Sequence, residues 1–198
     1  MEAVLEVMRS HGLEGEKVAI VEGDDILGEL DQLMETGEAF ENMDTEEALA
    51  NVRDEGCQVV SVFDPEDDAK SFAYSVGFWE SVHQPEVIIL GLPSQMGVFA
   101  VNETYRQCEA GLTLFDGQSV EGLFEDYDVT CIARSVDKQH LTPEYLNSAL
   151  WYHNLRTGKP LDAAYQLVWA YEGLWPWDAG APAELLEDQP QLYSGILH

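Results

Sequence analysis

Whatever this 198-residue chain folds into must carry an excess of 29 negative charges, because 38 Asp and Glu stand against 9 Lys and Arg. A monomer of this size exposes roughly 9,000 Å², or one carboxylate per about 250 Å². Spread over a sphere of about 20 Å radius, the charge repels itself by on the order of 25 kcal/mol at 0.15 M salt, and about threefold less at multi-molar salt. The unfolded chain shares much of that repulsion. Even a fraction is comparable with a net stability of roughly 5–15 kcal/mol. The expectation is a protein adapted to high salt, as in the cytoplasm of an extreme halophile. The scarcity of lysine (Lys17, Lys70, Lys138 and Lys159) fits.

The same composition excludes several classes. At 45% hydrophobic and 10% aromatic residues the chain is too apolar for a disordered acidic tail. It has no basic patch, so direct binding to nucleic acid or an anionic membrane is not expected. An acidic mimic of nucleic acid stays open, since the acids are enriched before residue 50, but it requires them on one face. No apolar run approaches the ~18 residues of a membrane span, and Met1-Glu2-Ala3 opens without the apolar core of a signal peptide. A soluble cytoplasmic protein is expected. Cys57, Cys108 and Cys131 lack CxxC spacing and read as reduced, buried thiols.

Along the chain, residues 1–43 read as an acidic N-terminal helical appendage. Helical stripes at residues 3–8 and 26–34 flank a short apolar strand, Val18 to Val21. Residues 44–198 read as one α+β domain, a mixed or antiparallel sheet flanked by helices. A helix opens at Asp44, an N-cap with Glu47 three residues on, and closes at Gly56. Strands are expected at Cys57 to Phe63, Ser71 to Phe78 and Glu86 to Leu90, the last buried on both faces because its apolar run does not alternate. A helix from Pro93 to about Ala110 precedes strands at Leu112 to Phe115, Val120 to Phe124 and Tyr127 to Val136. Thr142-Pro143-Glu144 then starts a helix through Tyr152. The rest is aromatic and broken by proline.

Catalytic signatures are missing: there is no GxGxxG, Walker loop, HExxH or GxSxG. His11, His83, His140, His153 and His198 do not pair at helical spacing, and Gly23-Asp24-Asp25 is better read as a helix cap than as a cation site, so no metal site and no cofactor can be named. Four segments stand out: FAYSVGF (72–78), HQPEVIILGLP (83–93), the turn-rich stretch Gly122 to Asp128, and AYQLVWAYEGLWPW (164–177). With a late Gln189-Pro190, their order resembles the bacterial and archaeal family called domain of unknown function 4262, over roughly residues 44–193. Two departures matter. Gln84 separates His83 from Pro85, and Ala170-Tyr171 stands where the family usually has Pro-Asp; if that Asp has a role in relatives, this chain has lost it or supplies it from Glu172 or Asp178. The resemblance implies a fold, and brings no activity with it.

The candidate residues each carry two readings. Tyr74 is a core tyrosine or lines a site near Gly77. His83 and Glu86, at the mouth of the third expected strand, form a rim contact, an acid/base pair or two metal ligands. Gln166, Trp169, Trp175 and Trp177 either staple the C-terminal segment across the sheet or line a pocket for a partner. Arg106 and Arg134 satisfy nearby carboxylates or hold an anion. Three functions follow. The favoured one is a non-enzymatic binding or protein-interaction module for an unidentified protein or small molecule, of immunity or accessory type by analogy. The others are a small hydrolase or transferase using His83 and Glu86, with or without a metal, and an acidic mimic.

Overall fold

The computed structural model describes residues 19–22, 45–63, 70–124 and 129–195. Seven strands form one mixed sheet: β1 (Ala19–Glu22), β2 (Gln58–Phe63), β3 (Phe72–Val76), β4 (Glu86–Leu90), β5 (Ser119–Phe124), β6 (Val129–Ser135) and β7 (Ala164–Trp169). Their order across the sheet is β1-β2-β3-β4-β7-β6-β5. Two antiparallel meanders, β2–β3–β4 and β5–β6–β7, therefore meet along a parallel β4–β7 seam, and β1 adds in parallel to β2. With helices on both faces this is an α+β arrangement. The expected burial of β4 holds: Val87, Ile88, Ile89 and Leu90 are all at most 4% exposed.

Side-chain alternation in the strands builds two cores. On one face, helix α3 (Ser94–Glu109) packs over Ala73, Ile89, Leu167 and Ala133. Gly97 permits that approach, since a Cβ there would lie 3.1 Å from the Ala73 methyl. On the other face, helices α1 (Thr45–Glu55) and α4 (Pro143–Thr157) cover Val60, Tyr74, Ile88 and Leu90. Pro143 opens α4 after an extended Thr142, and Gly158 ends it in the left-handed conformation at φ 69°. The short helices α2 (Phe78–Ser81) and α5 (Ala183–Asp188) complete the described elements, with a 3₁₀ turn at Lys138–His140.

Some expectations shift. The strand expected to reach Phe78 stops at Val76, because Gly77 turns the chain into α2. Leu112 to Phe115 is not a strand: the Leu114 N–H donates to the Gln84 side chain, at 3.0 Å, in place of a ladder partner. β7 was not expected at all. At the β5 edge the pairing with β6 slips between Val120 and Phe124. The N-terminal helical stripes and Gly23-Asp24-Asp25 lie outside the described residues, while the short apolar strand falls at β1.

Candidate functional site

A single row of side chains crosses five strands in register: Val60, Tyr74, Ile88, Gln166 and Arg134. All five are at most 3% exposed. The row changes from apolar to polar because of what covers it. At the polar end the segment 189–195 crosses the sheet without a strand ladder, so its backbone groups need side-chain partners. Gln166 supplies two, its Nε2 donating to the Pro190 carbonyl and its Oε1 accepting from the Leu192 N–H, both at 3.0 Å. Gln189 works in reverse, exchanging hydrogen bonds of 2.9 and 3.0 Å with the Trp169 backbone. The Trp169 indole N–H donates to the Leu90 carbonyl at 2.9 Å, tying β7 to β4. Arg134 donates from Nη2 to the carbonyls of Ser194 and Gly195. Within this strap Leu192 and Tyr193 are buried.

Arg134 also organises the aromatic residues. Its Nε donates to Asp116 at 3.0 Å, and Asp116 in turn accepts the Ser135 N–H. The guanidinium lies 4.3 Å from the Tyr193 ring centre and 5.4 Å from that of Trp177. Trp177 meets Tyr193 edge-on and stacks on Trp175, with centroids 5.3 Å apart and planes 4° off parallel. The guanidinium lies over two π-faces with one carboxylate and two carbonyls on its rim, while its buried Nη1 has no hydrogen-bond partner among the described residues. Trp175 and Trp177 each remain partly exposed. Asp178 accepts the Trp175 N–H at 2.9 Å and fixes this turn. Glu172 instead sits in a tight turn between Tyr171 and Leu174, with φ 50° and an exposed side chain.

Glu86 lies at the other end of the parallel seam, 1% exposed. Its Oε1 accepts the Gly77 N–H at 2.9 Å, and its Oε2 accepts the Ser75 hydroxyl at 2.5 Å and the Phe78 N–H at 3.3 Å. Ser75 Oγ accepts in turn from the Val87 N–H, closing a loop between β3 and β4. Gly77 can present its N–H because it adopts φ 100°, and Val52 packs where a Cβ would go. Burial pushes the carboxyl up to about 7, and the hydrogen bonds from Ser75, Gly77 and Phe78 oppose that rise.

His83 is exposed, in the left-handed region at φ 57°, and its Nδ1 lies 3.2 Å from the Trp79 carbonyl. The Glu86 oxygens are thus engaged by Ser75, Gly77 and Phe78, and His83 by Trp79. Tyr74 is buried beneath α4, where its hydroxyl accepts the Ser148 N–H at 3.2 Å. Burial raises its hydroxyl above the usual tyrosine range. Glu80, which sequence reading passed over, accepts from Tyr152 at 2.8 Å and bidentately from Arg156 at 2.5 and 3.1 Å. Its carboxyl is lowered mainly by Arg156. Arg106 pairs with Glu103 at 2.6 Å. Among the described residues no three His, Cys, Asp or Glu side chains gather as a metal site would require. Nor is any helix among them long and apolar enough to cross a membrane.

The profile of the family described as Domain of unknown function (DUF4262) matches residues 51–182, two thirds of the chain. The chain belongs to this family. A second profile, described as acyclic terpene utilisation family protein AtuA, is similar to residues 1–63, a minority of the chain and mostly outside the described residues. No curated protein and no solved structure matches.

Proposed function

We propose that this member of the family is a binding or protein-interaction module, and that Trp175 and Trp177 form the heart of its contact surface. One observation carries the reading: the two indoles are partly exposed, yet locked in a stack by the buried Arg134 and Tyr193. Aromatic side chains already held in one rotamer lose little entropy when a partner covers them, which is what makes tryptophan an anchor in interfaces. Tyr74, Gln166 and Trp169 contribute by shaping the scaffold from within.

The test is a pull-down in concentrated KCl with the full chain as bait, followed by titration of whatever is retained. Trp175→Ala and Trp177→Ala are each expected to weaken binding at least about tenfold, the level of an interface hot spot. Far-UV CD should stay at the wild-type signal for Trp175→Ala. Binding unchanged in both variants would refute the reading.

The high-salt cytoplasm is proposed on the charge alone. Far-UV CD and thermal melts should show a gain in stability of several kcal/mol between about 0.2 and 2 M KCl, as screening removes self-repulsion. Full cooperative folding in salt-free buffer with no gain from KCl would remove it. A second reading, a small hydrolase or transferase using His83 and Glu86, has one observation in its favour: a carboxyl near 7 suits proton transfer at neutral pH. It requires turnover that His83→Ala abolishes.

A further inference from the structure

Arg134 is 2% exposed and Tyr193 6%, and each keeps one polar atom with no hydrogen-bond partner among the described residues: Nη1 of the guanidinium and the phenol oxygen. Native folds leave few buried polar groups unsatisfied, so each calls for a physical cause. Here two fall on residues in contact. The other guanidinium nitrogens are committed, Nε to Asp116 and Nη2 to the Ser194 and Gly195 carbonyls. The Gln191 side chain lies near the Tyr193 hydroxyl but outside hydrogen-bond geometry. Burial raises that hydroxyl above the usual tyrosine range, so at neutral pH it keeps its proton to donate. A guanidinium has no acceptor, so both groups offer donors. The buried charge is also incompletely balanced. Its one carboxylate, Asp116, is 45% exposed and shared with the Ser135 N–H, while Asp137 accepts the Ser194 hydroxyl.

We propose that Arg134 Nη1 and the Tyr193 hydroxyl together hold a small monovalent anion, a halide such as chloride. The spacing suits one ion. A guanidinium carbon 4.3 Å above the Tyr193 ring centre stands about 6 Å from the phenol oxygen at the rim. That is about twice the span of a single hydrogen bond, the separation of two donors turned on one acceptor. Charge favours an ion over water. A water bound there brings donors of its own to satisfy, whereas an anion asks for donors alone and offsets a buried cation. Enclosure sets the size: both atoms are buried, which suits a monoatomic ion and not a carboxylate carried by a macromolecule. The net charge of −29 repels any anion at long range, so binding is weak in dilute buffer and improves as salt screens that field. The ion fixes Tyr193, and with it the edge-on contact to Trp177.

Two measurements on the full chain test this, with bromide as the second probe. Chloride is titrated at constant ionic strength against potassium glutamate, and the broadening of the chloride NMR line by the folded protein is followed. It is expected to saturate and to be reversed by bromide. Crystals soaked in KBr should show a bromide anomalous peak within about 3.5 Å of both Arg134 Nη1 and the Tyr193 oxygen. Tyr193→Phe keeps the ring over Arg134 and removes one donor. It should weaken halide binding about fivefold while far-UV CD stays unchanged. Trp175→Ala should leave halide binding as in the wild type, which separates this site from the contact surface proposed above. No saturable broadening up to about 2 M chloride would overturn the proposal. So would binding indifferent to Tyr193→Phe, or bromide found only at exposed positions, an adventitious ion only. A water or a protein group on Nη1, with no anomalous signal there, would overturn it as well.

Discussion

Replacing Glu86 with alanine is expected to remove a large part of the fold's stability, about 3–5 kcal/mol. The change strands three donors at once: the Ser75 hydroxyl and the N–H groups of Gly77 and Phe78. Each buried donor left unsatisfied costs about 1–3 kcal/mol, and three neighbours do not add fully. Denaturant unfolding in concentrated KCl, with the slope compared between variants, measures the loss. A loss under about 1 kcal/mol would mean that water takes over the carboxylate's place. The same residue sets a pH dependence whose sign can be worked out. The folded state keeps the Glu86 proton up to about 7, whereas the unfolded chain releases it near its ordinary 4.5. Between those values the native state binds more protons than the unfolded state. This contribution is therefore full below about pH 4.5, falls as pH rises, and is gone above about 7. At about 1.4 kcal/mol per pH unit it amounts to on the order of 3 kcal/mol. Glu86→Gln should flatten stability against pH across that window. An unchanged slope would assign it to another group.

Arg134→Met is the second large effect. The substitution keeps most of the volume but removes partners from Asp116 and from the Ser194 and Gly195 carbonyls. Asp116 is 45% exposed and Ser194 and Gly195 lie at the surface, so water can take up part of what they lose, and the cost falls to about 2–3 kcal/mol. The loss should be local in its first appearance. Amide exchange in residues 189–195 should quicken more than in β3 or β4, and Trp177 fluorescence should shift as its cation leaves. Equal quickening everywhere, with no selective loss over the strap, would show that Arg134 supports the whole sheet and does not act chiefly as a clamp.

Much of the domain could be read from local pattern. The run Val87 to Leu90 announced a strand covered on both faces, and the Pro and Gly signals at each end of α4 placed that helix. β7 escaped because the polar Gln166 interrupts its apolar residues and the aromatic sequence after it suggested an irregular tail. Gln166 is polar for a reason that lies 24 residues away, at Pro190. No local pattern carries a side chain's obligation to a distant backbone. The candidate site divided along the same line. Tyr74 and Ala73 alternate between the two cores as period two predicts. The Gln166 side chain bonds to the backbone of Pro190 and Leu192, and the Trp169 indole to Leu90. The partners that decide what Glu86 does, Ser75 and Gly77, lie in a segment that reads locally as a strand. Their role depends on a turn at Gly77 that only the positive φ reveals.

The irregular edge of the sheet has a consequence for a concentrated acidic protein. An exposed strand edge invites another chain to add, and charge is the common deterrent. At multi-molar salt the screening length shrinks to about 3 Å or less, so carboxylates stop deterring anything they do not touch. Shape still works there. The slipped pairing of β5, with Gly122 at φ 77° between Val120 and Phe124, bends the outermost strand out of the flat geometry that a second strand would need. At such salt a deterrent to strand addition at this edge would have to be backbone shape, with charge effective only in dilute buffer.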